Sequence, residues 1–232
     1  MTIVHDLKTP IAAATTYLNM ILEGSMGEVN PLQQQPLERS KLRLGNAIGT
    51  INDILYISQA KLESGINNIE NVNLVEIIVD LIKDVIILID SKLLQINTNF
   101  EENQEIHVQA EPKLLKLALA NLISNSIKYT ERGGQVNINL TENKDNVIIS
   151  IVDNGIGIPE KDKVKVFGNF FRTSLSKEKG IEGSGLGLSL VLEVIKKYNG
   201  TIELISPSSL ASEGKPGTEF IITMPKIFTQ IT

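Results

Sequence analysis

The 232-residue chain has no cysteine and no tryptophan, only two histidines, and aromatic residues at 4% of its length. Without cysteine there is no disulfide, no zinc-thiolate site and no cysteine nucleophile. Two histidines are too few for a metal site built from imidazoles alone. No block of basic residues occurs, and 22 Lys and Arg against 27 Asp and Glu leave a net charge of −5. That balance argues against nucleic acid as a partner. The longest apolar run, "VIILI" at 85–89, falls far short of the ~20 residues of a membrane-spanning helix. No signal peptide precedes it. What remains is ordinary globular composition, 42% hydrophobic and 21% charged, with length for one large domain or two small ones. The chain reads as soluble.

Apolar residues at Ile3, Leu7, Ile11, Ala14, Leu18 and Ile21 or Leu22 are spaced in steps of three and four, the period of an amphipathic helix. The stretch 23–31 breaks that pattern with two glycines and a proline. A second series, Leu37, Leu44, Ile48, Ile51, Leu55 and Leu62, fits heptad positions, interrupted by Lys41 and Ser58. Two such helices make an antiparallel hairpin. One hairpin holds too little core to stand alone. We expect two copies to form a dimeric four-helix bundle, the alternative being packing on the rest of the same chain. The first helix starts without a cap or lead-in, as expected of a piece of a longer protein.

Residues 63–73 are polar and aperiodic and read as a linker. Beyond it the spacing predicts helices over 74–94, 111–130 and 186–200. Strands are predicted over 95–100, 105–110, 134–142, 146–153, 201–206 and 217–225. The expected architecture is α+β, with helices on one face of a mixed sheet.

Three patterns carry chemistry. "DNGIGIP" (153–159) puts Asp153 at a strand end, where a carboxylate can accept from a flat donor such as an adenine amino group. Gly155 and Gly157 allow close backbone approach, although Asp-Asn-Gly is also an ordinary turn. "GSGLGL" (183–188) leads into a helix N-terminus, which suits a phosphate. In "NLISN", Asn121 and Asn125 share a helix face at i, i+4. Two amide oxygens there can help hold Mg²⁺, and the bland alternative is a solvated face. Asparagine is a poor helix former, so two of them in mid-helix need a reason.

These patterns, in this order, resemble the ATP-binding (GHKL-type) fold shared by sensor histidine kinases, type II topoisomerase ATPases, heat-shock-90 chaperones and mismatch-repair MutL proteins. Upstream, "HDLKTP" (5–10) resembles the histidine-kinase H-box. Residues 121–125 then match the N-box, 153–159 the G1 box, "FGNFF" (167–171) the F-box, 183–188 the G2 box and "GTEF" (217–220) the last glycine box. The resemblance covers nearly the whole chain. It implies a dimerisation and phosphoacceptor hairpin over 1–66 and an ATP-binding catalytic domain over 67–232.

The resemblance implies roles by position. His5 would attack the γ-phosphate of ATP, Asp6 would orient its other ring proton, and Thr9 would position a water for hydrolysis of a partner's phosphoryl group. Pro10 removes the donor to the Asp6 carbonyl and crowds it, at about 3 kcal/mol in a regular helix, which loosens the backbone beside the nucleophile. Asp153 would bind adenine, Asn125 the Mg²⁺ with Asn121 assisting, and Lys128, Tyr129 and Arg172 the phosphates or ribose. Gly155 and Gly157, with Gly183, Ser184, Gly185, Leu186 and Gly187, would cradle the nucleotide. The 25 residues between Gly157 and Gly183 would be an ATP lid, anchored by Phe167, Phe170 and Phe171. Implied partners are a second copy and the receiver domain of a response regulator, with a membrane reached only through a segment upstream and the present residues cytoplasmic. Two departures stand out: Lys8 where Arg is commoner, and Gly168 and Asn169 in the F-box. The ATPases of the superfamily hydrolyse ATP with a Glu where Asn121 stands here, and an amide cannot accept the proton of water.

Overall fold

Proline at position 10 does not stop the first helix. In the computed structural model α1 runs from Thr2 to Leu22 straight through it. The structure describes residues 2–62 and 68–227, without the side chains of 2–7 and 55–62. The chain forms two compact units, residues 1–59 and 60–232. The expected domain boundary at 66/67 lies outside the described residues.

In the first unit α1 is followed by α2 (Pro31–Leu62). The predicted seam is visible as half-burial. Ile11, Ala14, Leu18, Ile21, Leu37, Leu44, Ile48 and Ile51 are partly covered, while neighbours such as Ala12, Thr16, Arg39 and Lys41 are exposed. Thr15 and Thr16 return their hydroxyls to the carbonyls of Ile11 and Ala12, at 2.9 and 3.0 Å.

The second unit holds a five-stranded sheet in the order β2-β4-β5-β7-β6. Its strands are β2 (Gln95–Thr98), β4 (Gln135–Glu142), β5 (Asn146–Asp153), β6 (Thr201–Ile205) and β7 (Thr218–Pro225). β2 pairs parallel with β4 and every other pair is antiparallel, so the sheet is mixed. Period-2 alternation explains its two faces. Val136, Ile138 and Leu140, Val147, Ile149 and Ile151, and Phe220, Ile222 and Met224 are buried, while the alternate Gln135, Asn137 and Asn139 are only half-covered. The sheet meets α5 (Pro112–Tyr129) and α7 (Gly187–Lys197), and α5 packs against both α7 and α3 (Leu74–Asp84). Leu115, Leu119, Leu122 and Ile123 of α5 are essentially inaccessible.

Two expectations need correction. The end of the expected linker, Glu70–Asn73, is a strand, β1, paired with β3 (His107–Ala110). "ENVN" shows no apolar alternation, so only its partner identifies it. The helix expected over 74–94 breaks at Val85 into α3 and α4 (Ile86–Lys92). Val85 has φ −111°, and the β-branched run Val85-Ile86-Ile87 weakens the helix there. The stretch 154–185 holds two single 3₁₀ turns and α6 (Ser174–Glu178). No helix among the described residues is long and apolar enough to cross a membrane.

Candidate functional site

α5 starts on Pro112, the position where a missing N–H is harmless. Its apolar side faces the sheet, which turns Asn121, Asn125, Lys128 and Tyr129 the other way. They border a cavity of about 230 Å³, closed by the end of β5, the stretch after it, and the loop before α7. Asp153, Gly157, Arg172, Gly183, Ser184, Gly185 and Gly187 line the same cavity. Residues far apart in sequence thus border one cavity.

Asp153 is 2% exposed. Its Oδ1 accepts the Gly155 N–H at 2.9 Å and the Thr218 N–H at 3.1 Å, which leaves Oδ2 without a backbone donor. Burial pushes its pKa up to about 6, with the two N–H groups acting in opposition. The Ser126 hydroxyl is buried without a regular hydrogen-bond partner, yet it stands near enough to this carboxyl to help hold the pKa down. An acceptor oxygen, an uncommitted hydroxyl and an apolar wall of Ile156, Ile158, Val166 and Phe220 suit a flat heterocycle that carries an amino group.

The same cavity carries cations. Lys128 Nζ lies against Gly183 and 5.3 Å from the centre of the Tyr129 ring. Burial lowers the Lys128 pKa, the positive Arg172 and Lys92 lower it further, and Glu182 opposes them. Burial raises the Tyr129 pKa, against the pull of Arg172. Arg172 donates through Nη2 to the Ile181 carbonyl, and its Nε–H is buried with no acceptor. A partly desolvated lysine ammonium and an orphaned guanidinium N–H are matched to an anion.

Asn121 ties its amide nitrogen to Leu117 O at 3.0 Å, so its oxygen is an acceptor directed toward Gly187. Among the described residues no three His, Cys, Asp or Glu side chains stand together to cage a metal. The donor set fits a hard cation held by amide oxygens, waters and a ligand's phosphates, the manner in which Mg²⁺ binds. Asn125, with Asn121, would hold it.

Two predicted residues stand behind the cavity wall. Gly155 abuts the Tyr129 carbonyl, which leaves no room for a Cβ, so its smallness serves loop-on-helix packing. Leu186, 1% exposed, sits at the N-cap of α7. Gly185 has φ +73° and backbone of Phe170 and Phe171 within 2.7 Å of where a Cβ would be, so this position demands glycine. Of the three expected lid anchors, Phe167 meets Phe220 edge-to-face at 6.4 Å and Phe171 lines the cavity. Phe170 does not anchor; it is 63% exposed with φ 61°. The side chains of His5 and Asp6 lie outside the described residues, and Thr9 is exposed on α1.

Sequence reasoning missed the groups that hold Asp153 in place. Ser208 donates to the Asp153 carbonyl at 2.7 Å, and Ser206 to the Gly217 carbonyl at 2.7 Å while accepting the Ile158 N–H at 3.0 Å. Nothing in "SPSS" separates these serines from solvated loop residues. Thr218 lies inside the last glycine box, 217–220, but its pairing in register with Asp153 appears only in the fold.

A family model described as "Histidine kinase-, DNA gyrase B-, and HSP90-like ATPase" matches residues 110–227. The sensor histidine kinase WalK of Bacillus subtilis is 30% identical over 223 residues, covering 95% of this chain and 35% of WalK. The sensor-like histidine kinase SenX3 of Mycobacterium tuberculosis is 30% identical over 227 residues, covering 96% of this chain and 52% of SenX3. The chain thus spans between a third and about half of these relatives. The solved structure of histidine kinase ThkA in complex with the response regulator protein TrrA superposes with a TM-score of 0.66 at 21% identity, covering 99% of this chain and 63% of that one. At that identity the likeness is one of fold.

Proposed function

The chain belongs to the histidine kinase-, DNA gyrase B- and HSP90-like ATPase family and is a sensor histidine kinase catalytic core; from that premise we propose that it binds Mg·ATP and phosphorylates its own His5. A ring nitrogen of His5 forms the bond to the γ-phosphorus as the bond to the ADP oxygen breaks, and ADP leaves. Near-neutral imidazole is nucleophilic at pH 7, and Asp6 orients the proton on the other nitrogen. Lys128 and Arg172 neutralise charge and align phosphates, which is most of what phosphoryl transfer asks of a protein. Asn125, with Asn121, would hold a Mg²⁺, which would supply neutralisation of phosphate charge.

The phosphoryl group then passes to an aspartate of a response-regulator receiver domain. ThkA, whose fold this chain shares, is bound to such a regulator in its solved complex. Thr9, one turn beyond His5, would position a water that hydrolyses the regulator's aspartyl phosphate and releases inorganic phosphate. Homodimerisation through the hairpin is supported by Tyr17, Leu42 and Ile54, which stay 60%, 59% and 42% exposed in a single chain. The full protein would be attached to a membrane through an upstream segment, with these residues on the cytoplasmic side.

The observation that carries this reading is the buried Asp153 carboxyl lining one cavity with Lys128 and Arg172. Calorimetric titration tests it. ATP and ADP are expected to bind, and GTP about a hundredfold or more weaker, because its 6-oxo acceptor would meet a carboxylate acceptor. Equal binding of ATP and GTP would remove Asp153 from base recognition.

A further inference from the structure

The end of a helix leaves its last carbonyls without intrahelical donors. At the end of α5 every one is taken. Ser126 O accepts the Thr130 N–H at 3.1 Å and the Thr130 hydroxyl at 2.6 Å. Tyr129 O accepts the Ile156 N–H at 3.2 Å. The rest go to one side chain. Lys92 Nζ donates to Ile127 O at 2.8 Å, Lys128 O at 2.9 Å and Thr130 O at 2.8 Å. An ammonium has three protons, and all three are spent on the carbonyl end of this helix, where the helix dipole favours a cation. The Lys92 backbone joins in, its carbonyl accepting the Gly133 N–H at 2.9 Å. Directly after it, Leu93 is left-handed at φ 53°. A leucine holds that conformation only where its surroundings enforce it.

We infer that Lys92 is a positioning residue of the nucleotide site. The inference rests on the ATP reading above. Lys92 acts through Lys128 and Tyr129. It grips Lys128 by the carbonyl, while the Lys128 ammonium faces the cavity at Gly183. It also steadies the turn whose Tyr129 carbonyl carries Ile156, and with it the loop that follows Asp153. Without the ammonium, three converging carbonyls lose their donor, the last turn of α5 frays, and the phosphate-facing cation and the adenine-facing loop lose their common register.

The test measures ATP affinity in four proteins: the unmodified chain, Lys92→Met, Lys128→Met and the double variant. Lys92→Met keeps chain length and removes the charge. It is expected to weaken ATP binding about tenfold, and its further effect in the Lys128→Met background to shrink below about threefold, since residues acting through one contact are not additive. Equal fold-losses in the two backgrounds would reduce Lys92 to general stability and overturn the inference. So would unchanged affinity. Should Lys92→Met not fold, Lys92→Arg serves, because a planar guanidinium cannot aim three donors at three carbonyls in this geometry; full affinity in that variant would overturn the inference. Absence of ATP binding by the unmodified chain would instead sink the ATP reading and the role of Lys92 with it.

Discussion

Asp153→Asn is expected to weaken ATP binding at least a hundredfold without unfolding the domain. The amide is the same size, and its oxygen can keep the Gly155 and Thr218 N–H bonds. Its nitrogen then points a donor where the carboxylate offered an acceptor, so a charge-assisted bond to an adenine amino group becomes a clash of donors. Losing such a bond and leaving buried donors unpaired amounts to about 3 kcal/mol or more. The stability effect runs the other way. Burial raises the folded-state pKa from 3.8 to about 6, so the folded protein holds this proton more tightly than the unfolded chain. The stabilisation is complete below about pH 4 and lost as pH rises through 6. A shift of that size is on the order of 3 kcal/mol. At pH 7.5 the variant is therefore expected to be as stable as the parent or more so, with the difference narrowing toward pH 4. Isothermal calorimetry and denaturant titrations at pH 5 and 7.5 read the two effects separately. A variant that binds ATP normally would remove Asp153 from the site.

Asn125→Ala is expected to abolish phosphoryl transfer, roughly a thousandfold or more in a single turnover. Binding of ADP in the presence of a chelator should change little. In the proposed reading labour is divided within the cavity. The Asp153 end would recognise the base. The Asn121–Asn125 face of α5 offers amide oxygens beside Lys128, where phosphates and a divalent ion would meet. Truncating Asn125 to a methyl group removes its oxygen without touching the base pocket. Single-turnover labelling at saturating ATP, beside the chelator-present Kd, separates lost catalysis from lost binding. Equal loss in both measurements would place Asn125 in base recognition.

Short-range features were the legible part of this fold. The asparagines at i, i+4, the acid closing an apolar strand and the glycine run before α7 each state their geometry locally, and all of them border one cavity. Alternation along β4, β5 and β7 is equally local, so the buried face of the sheet could be read in advance. Features that depend on a distant partner could not. β1 has no pattern of its own and exists through pairing with β3. Lys92 looks like any lysine at the end of a helix until its 35-residue reach to Ile127 is seen. Ser206 and Ser208 look like loop serines until the backbone of Asp153 and Gly217 arrives beside them. Phe170 illustrates the opposite error. Grouping three phenylalanines as anchors ignored that the backbone at 170 is left-handed and sends the ring to solvent. The break at Val85 was present in composition, as a β-branched run, and was outweighed by the helical periodicity on either side.

The central claim is that this chain moves the γ-phosphoryl group of ATP onto His5. The most direct measurement is incubation of the chain and of its His5→Gln variant with Mg²⁺ and γ-labelled ATP, followed by acid and alkali treatment of the protein. Label that is acid-labile, alkali-stable and absent from His5→Gln is the predicted result. Label that persists in His5→Gln would contradict it.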